Sequence, residues 1–304
     1  MQSASRRDFL RAASATALAA GATAAWGIEP FKRTNPRLSG LGLTTYSLRR
    51  HLKWFKGKPT GGKLDIPAFL DYCARLGLDG AELTSYFFEL PVEASQINTI
   101  KRRAHLNALD ITGGAIGNNF AHAPGSDDAL QQLDEARMWI DVFAELGAPT
   151  IRIFAGKAGG DVSVDQAIKN VQANTEIALA HAEKRGVMLA MENHDFTTDV
   201  DNLLRIVKAI DSDWLGVCWD SANLARTADP YADLARIAPF AVAAQLKVMT
   251  RVDDKPVEAD FARLVKILRD AGYAGYLIFE YEEAEDPYEA IPKFLPQLRA
   301  AMQA

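Results

Sequence analysis

Apolar residues recur along this chain in two alternating rhythms. Short continuous apolar runs alternate with longer stretches whose apolar positions fall three and four residues apart. The first kind is expected of strands covered on both faces, the second of amphipathic helices. The runs predict strands over Gly40–Tyr46, Gly80–Thr84, Ile111–Ile116, Thr150–Phe154, Val187–Glu192, Leu215–Trp219, Val242–Val248 and Tyr276–Glu280. The periodic stretches predict helices over Ile66–Leu76, Ser95–Leu109, Asp127–Leu146, Val164–Arg185, Val200–Ile210, Tyr231–Ile237, Phe261–Ala271 and Tyr288–Met302. Asp65, Ser126, Ser163, Asp199 and Asp286 stand where helix N-caps are needed, because their short side chains accept hydrogen bonds from the first free N–H groups. Gly77, Gly147, Gly186 and Gly272 stand where helices must stop.

Eight strands alternating with eight helices predict a single (β/α)8 barrel of the α/β class. A doubly wound open sheet would place a glycine-rich phosphate loop after the first strand. Leu43-Thr44-Thr45-Tyr46-Ser47-Leu48 contains none.

The residues before the first strand follow neither rhythm. Ser5-Arg6-Arg7-Asp8-Phe9-Leu10 resembles a twin-arginine export signal, and a weakly apolar, Ala-rich stretch follows from Ala12 to Ala25. Ala22-Thr23-Ala24 offers a cleavage site of the small-x-small kind. The expected organisation is a signal over residues 1–24, a linker over 25–37 and the barrel over 38–304. The expected location is periplasmic, without stable membrane insertion once the signal is removed.

The 304-residue chain carries a net charge of −5, and loss of residues 1–24, which carry a net +2, takes it to −7. An acidic chain without Lys/Arg clusters does not suit nucleic acid, where phosphate neutralisation supplies most of the affinity. Cys73 falls on a predicted helix and Cys218 on a predicted buried strand, so two buried thiols are expected rather than a disulfide.

In a barrel the chemistry sits at the C-terminal ends of the strands and on the loops that follow. Those positions hold Tyr46, Glu82, Asn118, Asn119, His122, Arg152, Glu192, His194, Asp220, Asn223, Gln245, Lys247, Glu280 and Glu282. Glu192 and His194 are two apart, so on a strand they point the same way. Three carboxylates repel one another unless a cation lies among them. Glu192, Asp220, Glu280 and the amide oxygen of Gln245 form a hard oxygen set suited to Mn²⁺, with Mg²⁺, Co²⁺ or Zn²⁺ as alternatives. Trp54, Phe55, Phe87 and Phe88 fall in or near the first two βα loops, as an apolar wall or as loop packing. Glu282 and Glu283 read as a solvated loop.

With its Glu192-Asn193-His194, Asp220-Ser221-Ala222-Asn223, Gln245-Leu246-Lys247 and Glu280 at intervals of 28, 25 and 35 residues, the chain resembles the xylose isomerase-like barrel superfamily. These proteins are often called sugar phosphate isomerases/epimerases. The resemblance runs from about Leu38 onward and implies a metal site on Glu192, Asp220, Gln245 and Glu280. Gln245 departs from the family's His, and an amide oxygen donates more weakly than an imidazole. The resemblance further implies proton transfer by Glu192 and Glu280 next to a substrate carbonyl. His194, Lys247, Arg152, Asn223, Glu82 and Asn118 are candidate substrate contacts, and the partner implied is a small carbohydrate. The same parts would serve elimination from a 3-keto sugar. A non-catalytic carbohydrate-binding barrel is the reading from a different class, and an abasic-site endonuclease would want more His ligands and a basic face. Self-association into a homo-oligomer is left open.

Overall fold

The computed structural model describes residues 27–160 and 162–304, and the expected export signal lies outside them. Eight parallel strands close into a barrel: β1 (Leu38–Thr44), β2 (Gly80–Thr84), β3 (Asp110–Ala115), β4 (Thr150–Ile153), β5 (Met188–Glu192), β6 (Leu215–Asp220), β7 (Ala241–Leu246) and β8 (Gly275–Phe279). Each is followed by a helix: α1 (Ile66–Arg75), α2 (Ala94–Leu106), α3 (Asp127–Leu146), α4 (Val164–Arg185), α5 (Val200–Val207), α6 (Pro230–Ile237), α7 (Phe261–Asp270) and α8 (Pro287–Gln303). The chain is therefore a single (β/α)8 barrel, as the alternation of apolar patterns predicts. Among the described residues no helix is long and apolar enough to cross a membrane.

The local signals act as expected. Asp65, Ser126, Ser163, Asp199 and Asp286 each accept a hydrogen bond from a backbone N–H in the first turn of α1, α3, α4, α5 and α8. Gly77, Gly147, Gly186 and Gly272 all adopt left-handed φ values between 62° and 84°. At that φ a Cβ is strained, which is why glycine ends these helices. Gly114 serves differently. A Cβ there would lie 2.6 Å from the Phe143 ring, so its absence lets α3 close onto β3.

Several boundaries move. β1 ends at Thr44 rather than Tyr46, because Thr44 Oγ1 accepts from Tyr46 N at 3.3 Å and turns the chain into a short 3₁₀ segment, Thr45–Leu48. α2 stops at Leu106, where Ala108 at φ 52° bends the chain back toward β3. α5 stops at Val207, three residues early. Two small antiparallel ribbons, Trp54–Phe55 with Lys58–Pro59 and Met249–Val252 with Lys255–Glu258, escape the sequence reading. Lys56-Gly57 and Asp253-Asp254 turn them, all four residues with positive φ, the backbone that two-residue hairpins require. Both cysteines are free and buried, as expected.

Helix and sheet meet over a continuous apolar layer outside the barrel, including Leu83, Ile151, Leu189, Trp219 and Phe279, all essentially inaccessible. Trp219 buries its ring there and donates from Nε1 to Leu234 O at 2.9 Å, so α6 is tied to β6. Inside the barrel Ala190, Cys218 and Ala243 form a small apolar cluster. Glu82, Arg152, Glu192, Asp220, Gln245 and Glu280 are also buried, and all lie at the C-terminal end of the barrel.

Candidate active site

Strand register brings the polar residues together. Asp220 on β6 pairs directly with Gln245 on β7, and Thr44 on β1 with Glu82 on β2. A cavity of about 280 Å³ opens over these strand ends, lined by Tyr46, Tyr86, Arg152, Phe154, Glu192, His194, Asn223, Lys247, Glu280 and Glu282.

Each carboxylate has a defined partner. Glu192 Oε2 faces Arg152 Nε at 3.0 Å, and its Oε1 accepts from Asn223 Nδ2 at 2.7 Å. Arg152 also donates from Nη1 to Ile116 O at 2.9 Å and stacks its guanidinium 3.8 Å from the Phe154 ring centre. Asp220 Oδ1 accepts from the N–H groups of Ala222 and Asn223, each at 2.8 Å, and its Oδ2 points at Lys247 Nζ, 3.1 Å away. The same ammonium reaches Glu280 Oε2 at 3.4 Å and Glu282 Oε1 at 2.6 Å. Gln245 donates from Nε2 to Glu82 Oε1 at 2.7 Å.

Five carboxyl groups thus meet two protein cations in a largely buried space. Burial pushes Glu82 up to about 7 and Glu280 up to about 8, and raises Glu192 against the pull of Arg152. Burial alone would lower Lys247, but Asp220, Glu280 and Glu282 hold it well above its ordinary value. Glu282 is likewise pushed up by burial, yet Lys247 and Arg49 bring it below the usual carboxylate range.

Of the substrate contacts expected from the sequence, Arg152, His194, Asn223 and Lys247 line the cavity. Glu82, Asp220 and Gln245 lie deeper, beneath it. Asn118 uses its amide on the backbone of Phe154, donating to Phe154 O at 2.7 Å and accepting from Phe154 N at 2.9 Å. It faces a neighbouring cavity instead. His122 is a loop residue beside Asp128, outside both cavities. Phe88 is fully buried against Trp139 and Phe143, so it is packing.

Glu282 corrects the sequence reading, since the expected solvated residue is an ion-pair partner of Lys247 in the cavity wall. The spacing of Glu280 and Glu282 repeats that of Glu192 and His194, and that signal could have placed both on one face. Asn193, part of the Glu192-Asn193-His194 motif but without a role assigned from the sequence, is a structural clamp. Its Nδ2 donates to Asp220 O and Asn223 O at 2.9 and 2.7 Å, and its Oδ1 accepts from Asp220 N at 2.9 Å, locking β5 to the end of β6.

Among the expected metal donors, Gln245 Oε1 is buried without a hydrogen bond, and Asp220 Oδ2 has only the Lys247 ammonium as its partner. Among the described residues no three Asp, Glu, His or Cys side chains converge as a ready-made cage, because Lys247 stands between Asp220 and Glu280. The excess of acid over base and the unpartnered Gln245 oxygen nevertheless fit a hard divalent cation on the four expected donors.

A parallel barrel with an acidic cavity at its C-terminal end defines the class. The chain belongs to the xylose isomerase-like TIM barrel family, whose pattern matches residues 70–298. No curated protein matches it significantly. Among solved structures it is similar to the 3-keto-D-glucoside 4-epimerase of E. coli, with 16% identity, a TM-score of 0.62, and coverage of 82% of this chain and 99% of that one. A D-psicose 3-epimerase determined in the presence of D-fructose gives 16% identity, a TM-score of 0.67, and coverage of 87% and 97%. A xylose isomerase-like barrel protein from Mycobacterium smegmatis, in complex with magnesium, gives 16% identity, a TM-score of 0.62, and coverage of 89% and 98%. At these identities the likeness concerns the fold.

Proposed function

We propose that this protein is a sugar isomerase or epimerase that moves a proton on the carbon next to a carbonyl. The observation that carries this reading is the pair of buried glutamates, Glu192 at the end of β5 and Glu280 just beyond β8, facing one sugar-sized cavity. Epimerases on the same fold, acting on D-psicose and on a 3-keto-D-glucoside, support it.

Glu192, raised by burial and hence a stronger base than an exposed carboxylate, takes the proton from the substrate carbon. Glu280, whose carboxyl is also pushed up by burial, returns a proton to that carbon. Arg152 and Lys247 neutralise the negative charge that develops on the substrate oxygens, and their burial strengthens that effect. Asn223 keeps the Glu192 carboxylate in one orientation. His194, half exposed and stacked 4.3 Å from Phe154, is placed to bond a sugar hydroxyl. Glu192, Asp220, Gln245 and Glu280 would hold a divalent cation, Mn²⁺ by the hardness of the donors. A cation held there would supply Lewis-acid polarisation of the substrate carbonyl.

Elimination from a 3-keto glycoside begins with the same proton removal and is the second reading. Replacing Glu280 by Gln should lower solvent-deuterium incorporation into D-psicose or 3-ketoglucose by about a thousandfold, on the scale of a general acid/base contribution, with the fold intact by circular dichroism. Full exchange in that variant would remove the assignment. Elemental analysis of protein purified without chelators, beside Glu192→Ala, should show about one equivalent of divalent metal in the wild type only.

A further inference from the structure

A second cavity, of about 610 Å³, opens beside the first and shares Tyr86 and Phe154 with it as a common wall. It lies between the loops that follow β2 and β3 and the outer face of α3. The shared wall is built to stay in place. Phe154 is held through its backbone by Asn118 and flanked by the Arg152 guanidinium. Tyr86 lies over Gly117, where a Cβ would come within 2.5 Å of its ring, so the glycine makes room for it.

The lining is amphipathic. Leu90 and Met138, 41% and 42% exposed, put apolar surface on its rim beside the ring of Trp139. Gln132 accepts from Asn119 N at 2.7 Å, which leaves its amide NH₂ without a partner among the described residues. Lys56 and Glu135 add charged hydrogen-bonding groups on the same lining. Apolar faces beside dispersed donors and acceptors match a sugar ring, which presents C–H faces and hydroxyl edges.

Size points the same way. The inner cavity falls just below the roughly 300–1,000 Å³ of ordinary small-molecule sites, and the joined cleft falls well inside that range. We propose that the outer cavity is a subsite for a second ring attached to the reacting sugar, so that the substrate is a glycoside rather than a free monosaccharide. This rests on the sugar-active reading of the inner cavity and deepens it. A ring whose anomeric carbon is bound to a second ring cannot open to an aldehyde. Its carbonyl is then a ring ketone, and proton removal beside that ketone leads to epimerisation or elimination, not to aldose–ketose exchange.

Calorimetric titration with 3-ketoglucose and with 3-ketocellobiose, whose second glucose is the aglycone of the keto ring, tests this on the Mn²⁺-loaded protein. The two-ring ligand should bind about tenfold more tightly to the wild type. A Leu90→Asp/Met138→Asp variant, changed only at exposed positions, should lose that preference and bind 3-ketoglucose as before. Equal affinity in the wild type, or a preference that survives in the variant, overturns the subsite and leaves the sugar reading standing. Binding of neither ligand overturns both.

Discussion

Lys247 shows how much one residue decides here. Its ammonium stands among Asp220, Glu280 and Glu282, in the region where the oxygen donors of a cation site were expected. Like charges exclude each other from one small volume, so lysine and a divalent cation compete for Asp220 and Glu280. Replacing Lys247 by Met should therefore tighten Mn²⁺ binding in equilibrium dialysis, by about tenfold if roughly 1.4 kcal/mol of repulsion is relieved. Weaker binding would mean that Lys247 organises the donors rather than opposing the cation. The residue types of this site were legible in the sequence, because strand ends of a barrel are identifiable positions. Their pairings were not. Whether Glu192 faces Arg152 or Lys247 depends on side-chain directions that no spacing encodes.

Among the elements, α1 shows what a single cap contributes. Asp65 accepts from Ala68 N at 3.0 Å and faces Lys53 Nζ at 2.7 Å. Partial burial pushes its carboxyl up, but the lysine and the N–H together hold it below the ordinary value. A lowered folded-state value means that the stabilisation is complete above the unfolded carboxylate range, near pH 4, and is lost as pH falls through the folded value. Asp65→Ala should cost about 1 kcal/mol and lower Tm by roughly 2 °C at pH 7, with a smaller difference from wild type near pH 3. Thermal melts at the two pH values check this. An equal loss at both would show that the charge contributes nothing. The caps and glycine stops could be read from the sequence because they act through neighbouring backbone. The two ribbons could not, since strands of two to four residues carry too little periodicity, although Asp253-Asp254 was a turn signal in plain view.

At the scale of the whole molecule, barrel closure turns a linear series into a site. β1 pairs with both β2 and β8, so Tyr46 and Glu282 face one cavity although 236 positions separate them. The stretch after Gly27 has no regular structure but is held to the barrel, with Ile28 buried and Arg33 donating to Ala241 O and Gly272 O at 2.7 and 3.2 Å. We propose that the preceding residues direct the folded protein out of the cytoplasm by the twin-arginine route. Changing Arg6 and Arg7 together to Lys should leave it in the cytoplasmic fraction, and continued recovery from the periplasm would sink the proposal.

The sequence by itself determined the alternation of eight strands and eight helices, their caps and stops, and the strand ends at which polar residues gather. These follow from periodicity and local hydrogen bonding, which act over a few residues. Tertiary structure alone decided that Gln245 turns its amide toward Glu82, that Glu282 enters the site, and that Tyr86 and Phe154 divide one cleft into two cavities. Those outcomes depend on register around a closed barrel and on burial, which exist only once the distant strands have met.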